Sequence, residues 1–373
     1  MRDLSFGLAK MGWKVTVLTA TAENKPDDAN TLCRIVRLRN QKGNAEAAKS
    51  VSGKALAGLS FFLACIAWSR RNSREIDIAL IASNPPFIGL AGPILSTRKK
   101  LPYIFLFQDL FPDSAVLSGV LKPEGFVTRF WKKVMQWVCC NSAATVVLNQ
   151  AMAKKLQQDS SQQLPLKVIH NWAIEQGSAV PRATNPFAIE NGFAGRFTIQ
   201  YSGNFGRLHD IKTLIAAAAQ LQGNPTIQFL FIGGGAKQQE IQQAALNNVL
   251  LLPYQPRPRL PETLAACDLA CISLIPGAET TLAPCKLYGI LASGRGLVLI
   301  SGPNCDLAEL VQREKIGIVV APGESELLAK QLQYLSQEPE EVAAMGERAK
   351  RVYDKHFGFD RSLQHYNELL LSL

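Results

Sequence analysis

The chain has 373 residues, 47% hydrophobic and 19% charged, which excludes a disordered polypeptide and suits two ordinary folded domains better than one. Its net charge of +10 is unevenly placed, because residues 1–172 hold 23 Lys and Arg against 11 Asp and Glu, leaving 17 and 19 to the remainder. The basic half points to an acidic partner such as anionic lipid or a lipid diphosphate, and the lack of arginine-rich runs with interleaved aromatics argues for no nucleic acid.

In chain order, MRDLSFGLAKMGWKVTVLTA reads as a helix over Asp3–Met11 and a strand over Lys14–Leu18. A Rossmann-type domain opens with a strand and a glycine-rich turn before its first helix. Neither precedes this helix, so the first domain, residues 1–176, is expected to be truncated at its start. The nearly all-apolar stretch Ala55–Trp68 lies between Lys49 and Lys54 on one side and Arg70, Arg71 and Arg74 on the other. It is shorter than the roughly 20 residues that cross a bilayer. Two readings stay open: a buried helix on the first sheet, or an interfacial helix with its basic flanks on lipid phosphate. Ile76–Ser83, Tyr103–Phe107 and Thr145–Leu148 are short apolar runs of the kind that form buried parallel strands, and Phe126–Trp137 and Ala151–Gln158 read as helices between them.

Residues 177–194 carry Gly177, Pro181, Pro186 and Gly192 with little periodicity, which predicts a linker. Beyond it the βα alternation resumes over a second domain, residues 195–355. Strands are predicted at Thr198–Tyr201, Gln228–Ile232, Val249–Leu252, Leu269–Ser273, Val298–Ile300 and Gly317–Val320. Helices are predicted at Lys212–Leu221, Lys237–Leu246, Leu260–Ala266, Lys286–Ala292 and Ser325–Leu335. Residues 356–373 end in an amphipathic helix, expected to pack back on the first domain. Repeated βα units imply parallel sheets with helices on both faces, hence an α/β fold of two doubly wound domains.

Eight cysteines, Cys33, Cys65, Cys139, Cys140, Cys267, Cys271, Cys285 and Cys305, form no CxxC pair. They read as reduced, mostly buried thiols of a cytoplasmic protein. With four histidines in the chain, no metal-ligand spacing is visible and no metal is expected.

Three segments carry candidate chemistry. In Ile199-Gln-Tyr-Ser-Gly-Asn-Phe-Gly-Arg-Leu-His-Asp210 a predicted strand runs into a turn with Gly203, Asn204 and Gly206, followed by Arg207 and His209. A helix N-terminus after such a turn offers free N–H groups to a diphosphate, and an arginine fork can grip it. Asp210 reads as a helix cap. In Phe231-Ile-Gly-Gly-Gly235 a strand ends in glycines, and Gly234 lets a base or phosphate approach. In Pro284-Cys-Lys-Leu287 a predicted helix starts with Lys286 in its first turn, where a cation opposes the helix dipole unless an anion is also bound there. On the first domain, Asn84, Gln108 and Asp109 follow predicted strands, where ligands of open α/β sheets bind.

These segments together resemble the retaining family 4 glycosyltransferases of the GT-B fold. The matches are YSGNFGRLHD, FLFIGGG, NVLLLPYQPRPRLPETLAACDLACISL, PCKLYGILASGR and IGIVVAPG in the second half, and GLAKMGWKVTVLTA, IASNPPF, FQDLFPDSAVLSGVL and VIHNWA in the first. The flavour is that of exopolysaccharide, colanic-acid and O-antigen enzymes. The resemblance implies two Rossmann-like domains facing across a cleft, the first lacking its opening strand and glycine turn. It implies transfer of a sugar, with retention, from a UDP- or GDP-linked donor to a glycan or polyprenyl-diphosphate-linked acceptor, with no cofactor or metal. The enzyme would be cytoplasmic or peripheral on the inner face of the plasma membrane. It places Gly206, Arg207, His209 and Lys286 on the donor diphosphate, with Gly203, Asn204, Gly234 and Leu287 around them. Two glutamates common in the family, touching donor sugar and ribose, are Thr281 and Gly289 here, so Glu279 and Glu309 become candidates for binding the ribose. Asp109 is the candidate catalytic residue, with Asn84 and Gln108 on the acceptor side. Two rival readings are a non-catalytic or shortened relative acting as partner or scaffold, and a nucleotide-sugar 2-epimerase on the same fold.

Overall fold

A computed structural model describes residues 1–20, 32–38, 51–173, 182–302 and 305–373. The chain forms two compact units, one of residues Met1–His170 with Ser362–Leu373, the other of Asn171–Arg361.

The first unit holds strands β1 (Val15–Thr19), β2 (Cys33–Arg37), β3 (Ala79–Ala82), β4 (Tyr103–Leu106), β5 (Ala144–Val147) and β6 (Leu166–Val168). They form two parallel sheets, β1-β2 and β3-β4-β5-β6. β4 and β5 are buried at every residue, as befits inner strands of a sheet covered on both faces. The C-terminal segment belongs here. Ser362 Oγ donates to the His170 carbonyl at 2.8 Å, and Trp13 Nε1 donates to Asn367 Oδ1 at 2.7 Å. The helix expected at Ala55–Trp68 is longer, Val51–Arg71. Its Phe62, Cys65, Ile66 and Ser69 are buried while Leu56, Leu59 and Leu63 are exposed, so neither a fully buried nor a wholly surface helix describes it.

The second unit is one six-stranded parallel sheet of β7 (Phe197–Asn204), β8 (Ile227–Gly234), β9 (Val249–Leu252), β10 (Leu269–Ser273), β11 (Gly296–Ile300) and β12 (Gly317–Val320), in the order β12-β11-β10-β7-β8-β9. Read in sequence, this is the doubly wound order 3-2-1-4-5-6, whose direction reverses between β7 and β10. Alternation along β10 supplies both cores. Leu269 and Cys271 face helices Lys212–Gln220 and Ser325–Leu335, while Ala270 and Ile272 face helices Lys286–Ala292 and Pro339–His356. β7 and β8 run past the predicted strand ends because the glycines keep pairing, Gly203 with Gly233 and Asn204 with Gly234. Here β7 precedes helix Lys212–Gln220 and joins the two halves of the sheet. The first unit has no counterpart to it among the described residues.

The linker reading needs correction. Residues 174–181 lie outside the described residues, but 182–194 fold into the second unit. Asn185 caps a short helix, Pro186–Glu190, by accepting from Ala188 N at 3.2 Å, and Pro186 suits its first turn. Phe187 and Phe193 are buried with Leu230, Ile232 and Ala266. Arg182 pairs with Asp268 at 2.9 Å. Proline and glycine mark helix ends here, not an open connection.

Candidate functional site

The carboxyl ends of β7 and β10 flank the point where strand order reverses. Such a point leaves a crevice, because the helices after the two strands lie on opposite faces of the sheet. Lys286 enters it from the start of helix Lys286–Ala292. Its Nζ is buried with no hydrogen-bond partner among the described residues, and it sits 3.6 Å from the centroid of the Tyr201 ring. Burial pushes this ammonium down from 10.5 to about 7. Among the described residues, the electron-rich face of the Tyr201 ring lies against it and offsets part of that cost.

Gly203, at φ +123°, turns its bare α-carbon to this ammonium, and a Cβ there would stand 3.7 Å from Lys286 Nζ. The tightest fit is one strand over. A Cβ on Gly233, at φ +138°, would lie 2.0 Å from the Gly203 carbonyl oxygen, so the two strand ends approach this closely only with glycine at 233. Gly206 differs from expectation. Its missing Cβ would meet Asn204 Nδ2 at 3.0 Å and His209 Cδ2 at 3.3 Å, so it makes room for its own turn. Asn204 and Arg207 are exposed on that turn.

His209 reads differently from a phosphate donor. Its Nδ1 lies 2.8 Å from the Ser273 carbonyl oxygen, which can only accept. Burial, with the nearby Lys286 charge, lowers the ring to about 4. The ring is therefore neutral with its proton on Nδ1, and Nε2 carries a lone pair. That nitrogen suits a hydroxyl donor, not a phosphate oxygen. Asp210 caps the following helix, accepting from Thr213 N at 3.2 Å and Thr213 Oγ1 at 2.5 Å.

Leu287 also needs correction. Its side chain is buried among Ile272, Tyr288 and Leu291, and its amide donates to the Pro284 carbonyl at 2.9 Å. It packs the core, and its N–H is spent within the turn. Glu279 stands at the β10 end of the site, and its Oε2 is buried without a partner among the described residues. A Cβ on Gly302 would lie 3.2 Å from its other oxygen. Glu309 is exposed on helix Asp306–Arg313, after β11. Thr281 is buried and bonds the Ala278 carbonyl at 3.2 Å.

Beside this crevice, at the carboxyl ends of β8 and β9, lies a cavity of about 570 Å³ lined by Asn204, Gly233, Gly234, Gln238, Leu252 and Tyr254 among others. Tyr254 lies across it, with its hydroxyl donating to the Gly234 carbonyl at 3.2 Å. Sequence reasoning missed this tyrosine. The one available signal was an aromatic just past a predicted strand end.

In the first unit, Asn84 follows β3 while Gln108 and Asp109 follow β4. Those strands are parallel neighbours, so all three residues share one sheet edge. The Gln108 amide donates to Ser83 Oγ at 3.0 Å, tying the two strand ends together. Asp109 remains open to solvent, and the packed protein beneath it raises its carboxyl above the ordinary value. Among the described residues, no group of three or more His, Cys, Asp or Glu side chains is placed to hold a metal ion. Six of the cysteines are buried, and Cys285 is exposed. No helix of the described residues is long and apolar enough to cross a membrane.

Residues 186–352 match the family described as Glycosyl transferases group 1, and residues 1–173 match Glycosyltransferase Family 4. A probable glycosyltransferase of Pseudomonas aeruginosa, WbjE, is 26% identical over 299 residues, covering 79% of this chain and 74% of that protein. Among solved structures, sucrose-phosphate synthase of Thermosynechococcus elongatus superposes with a TM-score of 0.77 at 18% identity, covering 100% of this chain and 93% of that one. HepE of Anabaena, solved in complex with UDP-glucose, superposes with a TM-score of 0.76 at 19% identity, covering 100% and 94%. WaaG, a glycosyltransferase involved in lipopolysaccharide biosynthesis, superposes with a TM-score of 0.71 at 12% identity, covering 99% and 94%. At such identities these likenesses speak to fold, and the fold they share is GT-B. With Glycosyltransferase Family 4 matching residues 1–173, Glycosyl transferases group 1 matching residues 186–352, and a doubly wound parallel sheet in the second unit, the chain belongs to the family 4 glycosyltransferases of the GT-B fold.

Proposed function

We propose that this glycosyltransferase moves a hexose-type sugar, with retention, from a nucleoside diphosphate donor to a glycan or lipid-linked acceptor in cell-surface polysaccharide synthesis on the cytoplasmic side of the membrane. The observation that carries this reading is the Lys286 ammonium, buried without a hydrogen-bond partner among the described residues and beside Gly203 at the strand-order reversal. A buried cation without a counter-charge is costly. A diphosphate is the ligand that relieves that cost. The second unit binds the donor, with its base in the cavity beside Tyr254 and its diphosphate on Lys286 and Arg207. UDP in the HepE complex favours a uridine donor. His209 Nε2 accepts from a donor hydroxyl, and Glu279 serves a ribose or sugar hydroxyl in the same way.

In the reaction, the bond between the anomeric carbon and the diphosphate oxygen breaks, and its electron pair leaves with the nucleoside diphosphate. The acceptor hydroxyl oxygen bonds to that carbon and gives up its proton. Lys286 and Arg207 stabilise the charge gathering on the leaving diphosphate, which is where fixed positive charge accelerates such a step. The reading invokes no metal and no cofactor. Asn84, Gln108 and Asp109 contact the acceptor, and Asp109, with its raised carboxyl, takes the proton.

Titration calorimetry with UDP and GDP on the chain and on its Arg207→Ala, Lys286→Ala double variant tests the donor assignment. Affinity should fall about a hundredfold or more, the scale of two lost charge-assisted contacts; unchanged affinity sinks it. NMR of the product made from an α-linked donor tests retention.

A further inference from the structure

The glycine end of β8 continues through Gly235 and Ala236 to Lys237, which stands at the start of helix Gln238–Ala244. A cation at that position opposes the helix dipole, and its side chain makes no cap bond. The ammonium is directed elsewhere. Lys237 Nζ donates to the His209 carbonyl at 2.6 Å, while its backbone N–H donates to the Phe205 carbonyl at 3.0 Å. Phe205 and His209 are the two ends of the turn that carries Gly206 and Arg207. We propose that Lys237 is a positioning residue for sugar transfer, a clamp on both ends of that turn that fixes Arg207 and His209 for the donor. This rests on the reading above, which puts the donor diphosphate on Arg207.

Glycine brings the clamp within reach. Gly235 has φ +144°, and a Cβ there would lie 2.8 Å from the Phe205 carbonyl oxygen and collide with Asn204 Oδ1. Residues 235–237 can therefore lie against the turn, and Phe205 N donates back to the Gly234 carbonyl at 2.8 Å. On its other side the turn is tied to the end of β10. Ile275 N donates to the Leu208 carbonyl at 3.0 Å, and His209 Nδ1 lies 2.8 Å from the Ser273 carbonyl oxygen. The turn thus straddles the strand-order reversal, held from the β10 side at Leu208 and His209 and from the β8 side at Phe205 and His209. Arg207 is exposed at its tip.

The consequence is pre-organisation. An arginine fork grips a diphosphate best when its backbone is already held, because each freed torsion must be ordered again on binding. Without the Lys237 ammonium, the His209 carbonyl loses a charge-assisted bond, and the tip of the turn gains freedom that the donor must remove. The penalty therefore reaches the donor through Arg207. A direct grip on phosphate is the rival role for this lysine. Its half-buried ammonium is already engaged with a carbonyl, which favours the clamp. The two roles also differ in outcome, since a direct grip makes the losses at Lys237 and Arg207 independent.

The test is a double-mutant cycle read by calorimetry with UDP on the full chain, on Lys237→Met, on Arg207→Ala and on the double variant. Lys237→Met keeps the stem and removes the donor, and UDP affinity should fall about tenfold, the scale of one charge-assisted hydrogen bond. In the Arg207→Ala background the same substitution should change affinity by about twofold or less, because residues that act as one unit are not additive. Lys237→Arg, which can still donate to the carbonyl, should recover most of the loss. A general weakening of the fold would show neither the coupling nor the recovery. Circular dichroism checks that each variant folds, and Lys237→Leu replaces the methionine variant if that one does not. No loss with Lys237→Met, an equal fold-loss with and without Arg207, or no recovery with Lys237→Arg overturns the proposal. Unchanged affinity in Arg207→Ala overturns the donor assignment and the clamp with it, whereas a loss there without coupling to Lys237 overturns only the clamp.

Discussion

The Lys286 ammonium and the Tyr201 ring face each other at 3.6 Å inside the second unit, a cation held by a π face and by no hydrogen bond among the described residues. Tyr201 lies on β7 and Lys286 opens the helix after β10, so the contact spans the strand-order reversal. It stores an unmet charge where an anion is expected.

The first consequence concerns stability. Lys286 titrates near 7 in the folded chain and at 10.5 when unfolded. Between those values the unfolded state binds the extra proton, so stability rises with pH across that window and is lowest below it. A pKa unit is worth about 1.4 kcal/mol, so the cost of keeping the charge at acid pH is on the order of a few kcal/mol. Lys286→Met should stabilise the unliganded chain by about 1 kcal/mol or more near pH 6.5 and flatten the rise above it. Urea denaturation of both forms at several pH values measures this.

Donor binding should take up a proton. At about pH 8 most of Lys286 is neutral in the free chain, and a diphosphate beside it restores the charge. Calorimetric enthalpies for UDP in buffers of different ionisation heat should reveal close to one proton bound per site, and affinity should fall as pH rises through 7. Lys286→Met should show neither effect.

Gly233→Ala should be severe. The new methyl would stand 2.0 Å from the Gly203 carbonyl oxygen in a backbone conformation at φ +138°. Strain plus displacement of the β7 end should cost about 3 kcal/mol or more and abolish nucleotide binding. Gly206→Ala, which meets only the side chains of its own turn, should cost about 1 kcal/mol. Denaturation midpoints and calorimetry rank the two.

Asp109→Asn keeps the shape and removes the proposed base. Turnover should drop about a hundredfold or more while UDP affinity stays unchanged. Equal loss of both would reassign the residue to donor binding.

Arg182→Ala should destabilise the second unit by about 3 kcal/mol, because the largely buried Asp268 carboxylate would lose its ion-pair partner and keep the Thr198 N–H at 2.7 Å. A true linker residue would leave the denaturation midpoint unmoved.

Much of this protein was legible in its sequence because the signals are local. Short apolar runs bounded by glycine and polar residues marked all six strands of the second sheet, and helices Lys286–Ala292 and Ser325–Leu335 have the predicted bounds. Pairing in a parallel sheet buries both faces of a strand, so hydrophobic runs survive as a pattern. The segments carrying Gly203, Asp109 and Lys286 could be placed at strand and helix ends for the same reason. The edge strand β6, three residues long, left too few residues for a period to emerge.

Other properties depend on which neighbour arrives from a distant part of the chain. Residues 182–194 read as linker until Phe187 and Phe193 find Leu230 and Ile232. Leu287 and Lys286 are adjacent, yet the turn of one helix sends the first into the core and the second to Tyr201. The tautomer of His209 is set by the carbonyl of Ser273, 64 positions away. Length, charge distribution and the alternation of strand and helix patterns determined that the chain makes two α/β domains with a basic first half. Tertiary structure alone decided that, among the described residues, Lys286 Nζ is buried without a hydrogen-bond partner and that Gly233 lies against the Gly203 carbonyl, because burial and distance are properties of packed neighbours and leave no trace in a residue's own type.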